Sequence, residues 1–75
     1  MALEGEAAGI AAIGAGLAVG LAGIGAGMGE KDVGAAAVGA MTEDRGMLGT
    51  AMIFMVIPET IVIFGLLIAF MILFV

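Results

Sequence analysis

With 75 residues, 64% of them hydrophobic, and a mean hydropathy of +1.35, the chain has too little polar surface to cover the core of a small water-soluble domain. It must be solvated by lipid or by copies of itself, and its length allows one domain, residues 1–75. A formal net charge of -5 argues against nucleic acid as a partner and against attachment to anionic lipid through a basic face. The absence of Cys and His removes thiol catalysis, disulfides and the common zinc ligand sets, and no soluble active site is visible.

The chain opens with Glu4 and Glu6 and no Lys or Arg before Lys31, so it lacks the basic n-region of a cleavable signal peptide. Residues 1–75 are accordingly expected to be the mature chain. From Ala7 to Gly29 there is no charge, and at 1.5 Å per residue the run is long enough to span a hydrocarbon core of about 30 Å. A first helix is expected over about 7–41. Its glycines would unravel a helix in water, each costing about 0.8 to 1 kcal/mol relative to Ala. In lipid an unpaired backbone is worse, and the helix persists. Gly16 with Gly20, Gly23 with Gly27 and Gly25 with Gly29 form GxxxG pairs that let neighbouring backbones approach closely. They fall on more than one face of the helix, which suits a helix packed on two sides in a closed ring; a simple dimer face is the blander alternative.

The polar cluster Thr42, Glu43, Asp44, Arg45, Gly46 is the turn signal between two apolar segments, so the chain reads as a helical hairpin with a loop over 42–46. The second helix, expected over about 47–75, is bulkier. Phe54, Phe64, Phe70 and Phe74 among many Ile and Leu suit a helix facing lipid, with the small residues of the first helix inside. Both basic residues, Lys31 and Arg45, lie toward the turn. The positive-inside bias therefore puts the loop in the cytoplasm and both termini on the opposite side of a membrane, expected to be a prokaryotic cell membrane.

Glu59 is the only ionisable side chain between Gly46 and Val75. A charge at bilayer depth costs several kcal/mol, so an acid there is a functional candidate by default; the bland alternative is a permanently protonated, tolerated acid. Pro58 precedes it and leaves the Phe54 carbonyl without its helical donor, so a kink or a freed backbone oxygen is expected beside the acid. If the turn centres near Asp44 and Arg45, Glu30 and Glu59 both lie roughly 21 to 23 Å from it, near the middle of the membrane. Two carboxylates in a low-dielectric site cannot both stay ionised without a cation. The natural occupants are a proton on each, or one proton and one monovalent cation, and the Thr60 hydroxyl adds an oxygen that can coordinate a hard cation. Lys31 and Asp32, at similar depth, must pair between copies or line a water-filled lumen. In the alternative arrangement residues 7–29 span alone, Glu30, Lys31 and Asp32 mark an interface, and Glu59 acts with Thr60 and backbone groups.

The glycine-rich helix with GIGAGMGEKD at 23–32, the short polar loop, and a second helix whose acid is followed by IVIFGLLIAFMILF together resemble the proteolipid rotor-ring (c-ring) family of rotary ATP synthases over essentially the whole chain. The Pro-Glu-Thr segment and the loop look closer to the archaeal-type or vacuolar-type branch. The resemblance implies an all-α membrane protein whose two-helix hairpins close into a homo-oligomeric ring, turning in lipid against a stator subunit that bears an arginine. It implies a rotor part with no chemical active site, and Na+ or H+ as the coupling ion with no organic cofactor. In sodium-binding members a Gln or Glu stands where Glu30 falls, a backbone carbonyl corresponds to Ile57 and a hydroxyl to Thr60, so Glu59, Glu30, Thr60 and Ile57 form the implied ion site. Contact with central-stalk subunits falls to Glu43, Asp44 and Arg45. Two departures stand out: Phe64 replaces the Tyr of many sodium-binding members, and the loop lacks the usual Arg-Gln-Pro. The rival reading from another class is a passive cation channel of assembled hairpins, with Glu30, Asp32 and Glu59 lining its pore.

Overall fold

The computed structural model describes residues 2–75; Met1 lies outside the described residues. The chain folds as two antiparallel helical arms. Helix α1 runs Gly5–Glu43, unbroken for 39 residues. The chain's one proline lies beyond it, and where water is excluded only internal hydrogen bonds satisfy the backbone. Glu4 is extended, with φ -135° and ψ 163°, and Gly5 takes φ +62°, a left-handed value that favours glycine.

The turn is tighter than the polar cluster predicts. Thr42 folds its hydroxyl back onto the Gly39 carbonyl at 2.7 Å, and α1 continues through Glu43. Asp44 is the extended residue, at φ -149° and ψ 109°, yet its N–H still donates to the Ala40 carbonyl at 2.9 Å. Its carboxylate accepts from the Gly46 N–H at 2.9 Å, which satisfies one of the orphan donors at the start of the next helix. A 3-10 turn over Arg45–Met47 leads directly into α2, Leu48–Val56.

The second arm breaks where the proline requires it. After α2 the backbone loosens at Ile57 and Pro58, and α3 covers Glu59–Phe74. The N–H groups of Thr60 and Ile61 donate to the carbonyls of Ile57 and Pro58, each at 3.1 Å, three residues back instead of four. Pro58 keeps helical angles, φ -60° and ψ -27°, so the arm continues in one direction through the defect.

The hairpin measures 56 × 18 × 9 Å with a radius of gyration of 17.1 Å, whereas a compact domain of this length would have about 11 Å. Gly5–Glu43 and Arg45–Phe74 are both long and apolar enough to cross a membrane. Only 6% of either apolar window is buried, which is unlike the core helix of a soluble protein.

The seam between the arms is built from alanine. Ala15, Ala26 and Ala37 of α1, with Ala51 and Ala69 of the second arm, are the buried residues among those described. Gly65 marks a very close approach. A Cβ built there would lie 2.7 Å from the Ala22 Cβ and 2.8 Å from the Ala18 carbonyl oxygen, so no larger residue fits without separating the arms. Most α1 glycines lie off this seam. A Cβ at Gly16, Gly20, Gly23, Gly25 or Gly27 would meet nothing within 4 Å.

The two flanks of the hairpin differ. One carries a shallow apolar groove near the termini, with Gly16, Val19, Leu66 and Phe70 in its walls. A second groove, with Val33, Ala36, Thr50 and Phe54 in its walls, lies near the turn. At 100° per residue, the first set falls to one side of Ala15 and Ala69 and the second to the opposite side of Ala37 and Ala51.

Candidate ion-binding site

Glu59 opens α3 directly behind the proline defect, halfway along the arm Arg45–Phe74. Glu30 lies in the unbroken middle of α1. Both side chains are half-buried, and their carboxyl groups come within hydrogen-bonding reach of each other. The equal count of residues from the turn thus places the two acids face to face at one height.

Thr60 donates its hydroxyl to the Ile57 carbonyl at 2.7 Å, and its N–H to the same oxygen at 3.1 Å. The implied backbone ligand and the implied hydroxyl ligand are therefore already joined within one helical turn. The arrangement occupies the hydroxyl proton and leaves the Thr60 oxygen its lone pairs. It also leaves the Ile57 carbonyl accepting two hydrogen bonds from Thr60. The structure brings together Glu30 with Glu59 and, separately, Thr60 with the Ile57 carbonyl; all four groups offer oxygen, the donor type that suits a proton or a hard monovalent cation.

One contact is not apparent from the sequence. Gly29, expected to serve packing between copies, faces Pro58 of its own chain: a Cβ at Gly29 would lie 3.9 Å from both the Cβ and Cγ of the proline ring. The signal is present in the numbering, since each residue immediately precedes one of the paired acids. Lys31 and Asp32 follow Glu30 but are exposed on other sides of α1. Phe64 is also exposed. Glu43, Asp44 and Arg45 sit at the tip of the hairpin, on the exposed turn.

The sequence model of the family of ATP synthase C subunits matches residues 13–72. The chain belongs to the ATP synthase C-subunit family. That match takes in most of both arms, the turn, Glu30, Ile57, Glu59 and Thr60, so it is not confined to one arm. Among curated relatives, an A-type ATP synthase subunit K from Methanocaldococcus jannaschii is 47% identical over 66 residues, covering 88% of this chain and 30% of the relative. Proteins of the same name from Sulfurisphaera tokodaii and Sulfolobus acidocaldarius are each 52% identical over 62 residues, covering 83% of this chain and 61% of the relative. This C-subunit hairpin therefore spans less than two thirds of the length of each of these relatives.

Proposed function

We propose that the chain is the non-catalytic rotor subunit of an archaeal-type ATP synthase. Copies of the hairpin close into a ring, and Glu59 reversibly binds the coupling ion at mid-membrane. The observation that carries this reading is the meeting of Glu30 and Glu59 at one height on a hairpin whose arms are each long enough to cross lipid. Membership of the C-subunit family and the names of the archaeal relatives support it.

The ring is supported by the unlike flanks. A hairpin whose two sides differ meets its copy head to tail, and such contacts close into rings when the rotation allows. The open glycine positions of α1 give neighbouring first helices room to pack closely, which puts the small helix inside and the bulky second arm toward lipid.

For the ion, Na+ with one proton retained is favoured by the oxygen set of Glu59, Glu30, Thr60 and Ile57. A loaded site is neutral enough to face lipid, and an empty one is not. Loading from one side, rotation through lipid, and release when an arginine of a stator subunit approaches Glu59 couple ion flow to rotation. Each charge moved through 100 mV supplies about 2.3 kcal/mol, so several sites act per ATP. The turn, with Glu43, Asp44 and Arg45, faces the cytoplasm and the central stalk, and both termini lie on the other side.

Carbodiimide labelling of Glu59 at varied pH, with and without sodium, tests the site. Protection by millimolar sodium is the expected result. Indifference to sodium assigns the site to protons. Ion flux through the purified ring with no stator present would replace the rotor with a channel.

A further inference from the structure

Lys31 and Asp32 are charges that the ion site does not use, placed roughly 18 to 21 Å from the turn by the helical rise and hence inside the apolar length of the hairpin. Both are exposed, and the side-chain hydrogen bonds of the described residues involve neither. Their directions are fixed by the seam. Counted at 100° per residue from buried Ala26 and Ala37, Lys31 falls roughly 130° to one side of the face toward the second arm, and Asp32 roughly 130° to the other. Adjacent residues on a helix do not face each other, so the two charges cannot neutralise one another within one chain.

Each flank of α1 therefore carries one charge of opposite sign at nearly the same height. The surroundings are open on both sides, since a Cβ at Gly23, Gly25, Gly27 or Gly34 would meet nothing within 4 Å. We propose that Lys31 of each hairpin pairs with Asp32 of the next copy, forming a closed belt of ion pairs on the inner wall of the ring. The belt rests on the head-to-tail ring of the proposed rotor. That packing sets the Lys31 flank of one copy against the Asp32 flank of its neighbour, and charge complementarity selects this occupant over lipid, which offers the buried height of α1 no counter-charge. The belt fixes the axial register of neighbouring hairpins, and so holds every Glu59 at one level.

Two sets of variants test it. Lys31→Asp and Asp32→Lys each set like charges face to face around the ring and are expected to abolish the ring at temperatures the native assembly survives. The double exchange restores opposite charges between copies and is expected to restore the ring. A double exchange as unstable as either single variant overturns the pairing. The second set uses the absence of native cysteine. With helix axes about 8 to 10 Å apart, like positions in neighbouring copies lie beyond the 4.4 to 6.8 Å that a disulfide spans between Cα atoms, whereas 31 and 32 on facing flanks lie within it. The double variant Lys31→Cys with Asp32→Cys is therefore expected to give an oxidative ladder of multimers, and neither single variant any. No ladder from a preparation that shows an intact ring by native mass spectrometry overturns the pairing and leaves the ring. Disulfide dimers from a single-cysteine variant, or a native protein with no ring at all, overturn the head-to-tail assembly itself.

Discussion

Gly29 and Pro58 meet across the hairpin at van der Waals distance, with 3.9 Å between a Cβ built on the glycine and the proline ring. Each stands one residue before an acid, Glu30 and Glu59. The defect that frees the backbone on one arm is thus packed against the smallest residue on the other, and this contact sets how the acids approach.

Replacing Pro58 with Ala returns an N–H to the Phe54 carbonyl and removes the reason for the i→i+3 bonds at Thr60 and Ile61. The arm is expected to become more stable and the site less competent. Sodium protection of Glu59 against carbodiimide should weaken while the yield of assembled ring is kept. Unchanged protection would show that the break is dispensable to the site.

Glu59→Gln leaves a neutral side chain of the same shape. Ring assembly should survive, because no seam contact depends on the charge, while ion-coupled ATP synthesis by the whole complex should fall to background. Retained synthesis would remove Glu59 from the mechanism.

Thr60→Val keeps the volume and deletes the hydroxyl that holds the Ile57 carbonyl at 2.7 Å. With about 0.5 to 1.5 kcal/mol for a hydrogen bond of this kind, sodium affinity should drop roughly 2- to 12-fold. Thr60→Ser should recover most of it, as read from the sodium concentration that half-protects Glu59.

Gly65→Ala forces a methyl group to within 2.7 Å of Ala22 and 2.8 Å of the Ala18 carbonyl. Overpacking of this sort costs about 1 to 3 kcal/mol. The ring should dissociate at a lower temperature than the native one, whereas Gly16→Ala, with nothing within 4 Å in its own hairpin, disturbs only contacts between copies.

Much of the hairpin is legible from residue order alone. Counting outward from Asp44 places Glu30 opposite Glu59 because both arms rise by the same amount per residue, and the proline announces the break beside the acid. The turn is less legible: Thr42 and Glu43 are polar and read as loop, but a hydroxyl bonded to the carbonyl of Gly39 lets the helix run on. The division of labour among small residues is hidden until the register is known. Alanines line the seam and most of the glycines look elsewhere, a distinction that composition conceals because both count as small. Gly65 needs the coordinates, since only the opposing Ala18 and Ala22 reveal how little room it has.

Five enclosed alanine methyl groups give an isolated hairpin almost nothing to hold its shape with, and a larger side chain is buried nowhere among the described residues. Such a strand of protein is less a brick than a stave, bowed or straightened by whatever stands on either side. A lone copy released into the bilayer should splay, and the barrel should lend each stave its form only when the last one is seated.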